Sequence, residues 1–193
     1  MRLFVAVYPP ESALDHLAAA VGRLRLGQVA ADGTNVRLAR RPLWHITLVF
    51  LGEVADDRAP AAAESVQAGV ARWRAASATA PVLQLAGGGR FGRGRTSVIW
   101  IGVAGEIDPL YRLTRSVRRS LRAARLGFDR KPFRPHLTIA RPGDRLPATD
   151  LAADVAALAG YAGPVWPAEQ VRLVRSLPGP NPVHEPLATV PLT

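Results

Sequence analysis

Two tetrapeptides carry the clearest chemistry in this chain: His45-Ile46-Thr47-Leu48 and His136-Leu137-Thr138-Ile139. Each sets a histidine two residues before a threonine, with apolar residues between and after. In a β-strand, residues two apart face the same way. His45 then shares a face with Thr47, and His136 with Thr138, while Ile46, Leu48, Leu137 and Ile139 turn toward a core. An imidazole titrates close to neutrality and can both accept and release a proton. Two of them at one substrate can divide acid and base duties, each contributing about 10²–10⁴-fold, and the threonine hydroxyls can donate to oxygens on which charge builds. Such a set fits cleavage of a phosphodiester by proton transfer, with no metal required. One tripeptide of this kind would read as a structural histidine in a strand. Two of the chain's four histidines in the same pattern point to a shared cleft, because burying imidazoles and hydroxyls without partners is costly.

The elements that must hold these residues follow from periodicity. Residues 2–8 read as an apolar strand ended by Pro9 and Pro10, and residues 11–24 as a helix with Leu14, Leu17, Val21 and Leu24 on one face. Residues 44–50 are a β-branched and aromatic strand stopping at Gly52. An alanine-rich helix spans 57–75, strands span 81–86 and 96–103, and a helix spans 108–126 with Leu110, Leu113, Val117, Leu121 and Ala124 inward. A strand over 133–140, a short helix near 149–159 and strands near 169–176 and 186–191 complete the chain. Strand–helix–strand order thus occurs twice, each time with one His-x-Thr strand. The expectation is an α+β fold of two pseudo-symmetric lobes, each a mainly antiparallel sheet with helices outside, and a cleft between them. No linker separates the lobes, so residues 1–193 read as one domain.

Composition narrows the setting. The chain has 193 residues, 48% of them hydrophobic, enough to bury a core. Without cysteine, disulfides and Cys-based zinc sites are excluded, and a reducing cytoplasm is the natural compartment. The apolar part of MRLFVAVYPPE is too short for a secretory signal, and no apolar run reaches the ~18 residues of a membrane span. The formal charge is +10, which favours an anionic partner such as nucleic acid; with one lysine against 24 arginines, it is also what a GC-rich coding sequence produces.

Other segments compete with the histidine pair for a role. GGGRFGRGR (87–95) lacks the Gly-Lys-Ser/Thr ending of a phosphate-cradling loop, but as a flexible loop it could present Phe91, Arg93 and Arg95 to a base and to phosphates. Arg112, Arg115, Arg119 and Arg122, spaced by three and four, form a stripe on the 108–126 helix; such stripes are usually solvated, and the rival reading is RNA tracking. His16 lies between Leu14 and Leu17 and reads as structural. Neither HExxH nor another close histidine pair is present, and no Gly-x-Ser-x-Gly appears, so a metal centre and a serine hydrolase are not expected, nor is a cofactor.

With these residues in hand, the chain resembles the 2H phosphoesterase superfamily, and most closely the RNA 2′,3′-cyclic phosphodiesterases once called 2′-5′ RNA ligases. The resemblance runs through RLFVAVYPP, HITLVFLGEV, SVIWIGV, FRPHLTIAR and VRLVRSLPGPNPVHEPL. It implies hydrolysis of RNA or nucleotide 2′,3′-cyclic phosphates to 2′-phosphomonoesters; weak, reversible 2′-5′ ligation is expected alongside it because the reverse reaction uses the same groups, and the chain is expected to be a monomer. In the roles it implies, His136 activates water and His45 protonates the 3′ oxygen, with Thr47 and Thr138 on the phosphate and Arg141 near the cleft to neutralise it. Where relatives carry a tyrosine in a pattern like GPxYxPL, this chain has His184, so the tyrosine's role does not carry over. Two alternatives stand beside this reading: another small cyclic phosphate as substrate, and a non-catalytic RNA binder, for which two proton carriers would have no purpose.

Overall fold

The computed structural model describes residues 1–76 and 79–193. The chain runs β1 (Arg2–Val7), α1 (Glu11–Gly22), α2 (Arg25–Ala31), β2 (Ile46–Glu53), α3 (Ala59–Ala76), β3 (Val82–Phe91), β4 (Val98–Gly105), α4 (Ile107–Ala123), β5 (His136–Ala140), α5 (Ala148–Ala159), β6 (Ala162–Pro167), β7 (Gln170–Leu177) and β8 (Val183–Pro191).

All eight strands form one antiparallel sheet in the order β6-β3-β4-β5-β2-β1-β7-β8. The two expected sheets are its halves, β6-β3-β4-β5 and β2-β1-β7-β8. They meet at β2 and β5, among the described residues, through the single register pair Ile46↔Leu137. The halves are wound alike, with β1 and β2 in one corresponding to β4 and β5 in the other. Their helices cross over: α1 leads from β1 to β2 but packs on β6, whereas α4 leads from β4 to β5 but packs on β2. Each half is therefore covered partly by a helix from the other, which ties the lobes into one body.

Strand β1 shows why its sequence is apolar almost throughout. It lies between β2 and β7, with Leu3, Val5 and Val7 in the main core and Phe4 and Ala6 in a smaller cluster with Val174 on the opposite face. Being buried on both faces removes the polar half of the usual alternation. Helices α3 and α4 contribute Val66, Val70, Leu113 and Val117 to the main core and cross closely at Gly69. A Cβ there would lie 2.8 Å from the Val117 Cα, so only glycine permits this approach. The buried face of α4 (Leu110, Leu113, Val117, Leu121) is the expected one, except that the helix ends at Ala123 and Ala124, just past it, is only half-buried.

Several elements differ from the sequence reading: the strand expected over 133–140 begins only at His136 and that over 44–50 only at Ile46, and three further differences stand out. The 11–24 helix ends at Gly22 and restarts as α2, whose first amides, Arg25 N–H and Leu26 N–H, both donate to the buried carboxylate of Asp154 on α5 (2.9 Å each). That long-range cap has no local signal. Strand β6 is additional to the expected strands, hidden by Pro164 and Pro167 within it; it is an edge strand, where proline is tolerated. Strand β3 is longer than expected and runs through Gly87–Gly89 to Phe91, so this segment is sheet rather than a flexible loop. Among the described residues, no helix is long and apolar enough to cross a membrane.

Candidate active site

The junction between the halves is also where the two tetrapeptides meet. Ile46 and Leu137 are fully buried and paired in antiparallel register. Continuing that register by one residue each way carries His45 toward Thr138 and Thr47 toward His136. The four polar side chains thus gather on the face opposite Ile46 and Leu137, as the alternation required.

The two histidines are held in the same way. His45 Nδ1 lies 2.6 Å from the Leu43 carbonyl oxygen, and His136 Nδ1 lies 2.6 Å from that of Arg134, in both cases two residues upstream. A carbonyl can only accept, so each Nδ1 donates its N–H. In the neutral ring the lone pair then sits on Nε2. Thr47 Oγ1 lies 3.0 Å from His45 Nε2, within reach to donate to it.

Their surroundings differ. The His45 ring stacks on Phe4 (centroids 4.7 Å apart) and meets His184 edge-on at 4.9 Å. Loss of water pushes its pKa down to about 4, against the Leu43 hydrogen bond, with repulsion from His184 and His136 adding to the shift. Burial also lowers His184, whose Nδ1 is 3.2 Å from the Tyr8 hydroxyl. Burial pushes the Tyr8 phenol up to about 12, opposed by Arg172, whose guanidinium lies 5.0 Å from the Tyr8 ring centroid. Tyr8 therefore stays a neutral phenol. On the other side, the His136 ring meets Phe91 edge-on at 5.1 Å, and Phe91 stacks on Trp100.

Trp100 depends on the glycine run. A Cβ at Gly89 would lie 2.5 Å from the indole Cζ2, while one at Gly88 would strike Leu158 on α5 at 2.6 Å. Gly87, at φ +63°, sits at the register shift that lets both faces of β3 fit. The glycines thus serve sheet packing, with no cradle for phosphate.

Two recesses flank the histidines. One, of about 600 Å³, is lined by Tyr8, Arg172, His184, Arg41, Trp166 and Glu169 among others. The second, of about 220 Å³, holds Thr47 and His136 together with Phe50, Phe91, Phe133, Arg118, Lys131 and Arg134.

His45, Thr47, His136 and Phe91 are thus brought together, and Thr138 lies on the same face. Arg141 is exposed just beyond the end of β5 and lines neither recess. Of the loop arginines, Arg95 pairs with Asp144 at 3.0 Å. His16 meets the Tyr161 hydroxyl at 3.0 Å, away from the site. The sequence reading does not single out Phe4, Tyr8, Trp100 or Arg172. Strict alternation in 2–8 would put Phe4, Ala6 and Tyr8 on the face of His45, and the alternation in 171–173 isolates Arg172 in the same way.

Comparison with known proteins shows which family the chain belongs to. A family model described as the 2′-5′ RNA ligase superfamily matches residues 13–179. A Thermus thermophilus protein named RNA 2′,3′-cyclic phosphodiesterase is 33% identical over 193 residues, covering 91% of this chain and 82% of that one. One of the same name from Aeropyrum pernix is 34% identical over 125 residues, 63% of this chain and 66% of that one, so the match spans just under two thirds of that relative. The crystal structure of TT0787, also from Thermus thermophilus, aligns with a TM-score of 0.74 at 28% identity, covering 100% of this chain and 98% of that one. With the paired histidine strands at the centre of a matched region this long, the chain belongs to the 2′-5′ RNA ligase superfamily.

Proposed function

We propose that this protein hydrolyses RNA or nucleotide 2′,3′-cyclic phosphates to 2′-phosphomonoesters, with His45 and His136 as its acid–base pair. One observation carries the reading. Two His-x-Thr strands face each other about Ile46 and Leu137, each with Nδ1 anchored to a backbone carbonyl. With Nδ1 engaged, each ring has its Nε2 left to exchange a proton, which supports the reading. Two relatives named RNA 2′,3′-cyclic phosphodiesterase supply the substrate class.

In this reading a water attacks the phosphorus of the five-membered ring and gives its proton to one imidazole. The bond from phosphorus to the 3′ oxygen breaks, and the other imidazole protonates that oxygen. The hydroxyls of Thr47 and Thr138 donate to the non-bridging oxygens as charge builds on them. The products are a 2′-phosphomonoester and a free 3′-hydroxyl; solvent exchange resets the two rings. A ribose 5′-hydroxyl in place of water gives 2′-5′ ligation by the same route. Both proton transfers are covered by side chains, so the reading needs no metal.

The resting site favours His45 as the base. Its pKa is pushed down to about 4, so at pH 7 its Nε2 carries a lone pair and is ready to take a proton. The acid role then falls to His136, the reverse of what the family resemblance implies. The experiment is to incubate the protein with a nucleoside 2′,3′-cyclic phosphate and separate the isomeric products. Conversion to the 2′-monophosphate supports the reading; a 3′-monophosphate, or unchanged substrate, contradicts it.

A further inference from the structure

The two recesses differ in charge. The larger one sets Arg41 and Arg172 against Glu11 and Glu169, and Arg41 is already paired with Glu11 and Asp15. The smaller one sets Arg118, Lys131 and Arg134 against Asp129, which pairs with Lys131 at 3.6 Å and leaves both arginines in excess, and adds three phenylalanines, Phe50, Phe91 and Phe133. Cations interleaved with aromatic rings are what single-stranded RNA requires, the rings for stacking and the cations for phosphates.

The smaller recess is also continuous with α4. Segment 128–134 runs back along this helix. Phe128 lies 5.8 Å from the guanidinium carbons of both Arg118 and Arg122, the Lys131 carbonyl accepts from Arg118 at 2.9 Å, and Phe133 meets Tyr111 edge-on at 5.2 Å. With 3.6 residues per turn, Tyr111, Arg115, Arg118 and Arg122 share one face. Arg112 and Arg119 border it, and most of these arginines are exposed or half-buried at the surface. Among the described residues, none of the arginines of α4 lies within 4.0 Å of a carboxylate. A helix surface evolved only for solvation usually interleaves opposite charges; this one does not.

We infer that this face of α4 extends the smaller recess into a track for the single-stranded 5′ body of an RNA whose cyclic phosphate end lies between His45 and His136. The inference rests on the proposed function and adds to it a substrate length and a direction: an oligonucleotide rather than a mononucleotide, leaving the cleft on the His136 side. From Arg112 to Arg122 the helix rises about 15 Å, so the track reaches beyond the terminal nucleotide.

The test compares two substrates: a nucleoside 2′,3′-cyclic phosphate and a 5′-fluorescein ten-nucleotide RNA ending in the same group. The variants are the triple Arg115→Ala, Arg119→Ala, Arg122→Ala and the corresponding triple lysine variant. None of these residues lines either recess. With the alanine triple, kcat/KM for the oligonucleotide is expected to fall about tenfold or more through KM, while the mononucleotide rate holds. The lysine triple should restore most of the loss. Fluorescence anisotropy should give a salt slope for oligonucleotide binding that is shallower by up to about 2 in the alanine triple, at roughly 0.7 per phosphate contact. An unchanged oligonucleotide KM and salt slope, or equal losses on both substrates, would overturn the track. Failure of the wild type to turn over either substrate strikes at the proposed function itself, and the anisotropy slope still decides whether α4 binds RNA.

Discussion

Ile46 lies across from Leu137 in the one register pair that joins the two halves of the sheet. Both side chains are fully buried. The residues on either side of this pair are the two histidines and two threonines of the site, so the same backbone contact sets the junction of the lobes and the spacing of the proton carriers. Trimming the pair should therefore affect stability and turnover together. Ile46→Val is expected to cost about 0.5–1.5 kcal/mol and keep activity, and Ile46→Ala about 2–5 kcal/mol with a clear loss of kcat. Urea denaturation and steady-state rates on the same samples check this; a destabilised Ile46→Ala with full kcat would separate the junction from the site.

The acid and base are told apart by the leaving group. A p-nitrophenyl phosphodiester expels an oxygen that needs no protonation, so loss of the acid should matter far less on it than on a cyclic phosphate. With His45 as base, His136→Ala should lose at least about 10²-fold on the cyclic phosphate but only a small part of that on the p-nitrophenyl ester. His45→Ala should be impaired on both. The opposite pattern assigns the base to His136, in line with the family resemblance.

Stability should carry the signature of His45. Its folded pKa of about 4 lies below the ordinary value of about 6.5. Between these values the unfolded chain binds the extra proton, so stability falls as pH drops through this window and the effect levels off below it. His184, also lowered by burial, acts in the same direction. Urea midpoints measured from pH 7 to pH 4 should decline less steeply in His45→Gln than in the wild type. Equal slopes would mean that His45 is not held neutral.

The glycine run offers a test of the cleft floor. Gly89→Val would drive a branched side chain into the Trp100 ring, which already lies 2.5 Å from an added Cβ. The expected result is an overpacking cost of about 1–3 kcal/mol, a change in tryptophan fluorescence, and activity reduced at least several-fold as Phe91 and Trp100 shift against His136. Unchanged fluorescence and activity would remove Trp100 from the site.

Much of this is legible in the sequence because period-two alternation is a strong signal. His45, Thr47, His136 and Thr138 can be put on one face, and Leu110, Leu113, Val117 and Leu121 inside a helix, from spacing alone. What escapes has identifiable physical causes. Proline at 164 and 167 hides an edge strand. Three glycines suggest a loop where they permit a bulged strand packed against an indole and a helix. The cap of α2 comes from Asp154, more than a hundred residues away. Tyr8 and Phe4 are hard to see because a strand buried on both faces looks uniformly apolar. The contact of His184 with His45 joins distant parts of the chain, which local patterns do not report.

The most direct measurement is hydrolysis of a nucleoside 2′,3′-cyclic phosphate in EDTA, comparing wild type with His45→Ala and His136→Ala. The account predicts that the wild type turns over to the 2′-phosphate unaffected by the chelator, and that each variant loses at least about 10²-fold in kcat while still folding. Wild-type activity that disappears with EDTA, or variants as active as the wild type, would contradict a mechanism run by the two imidazoles.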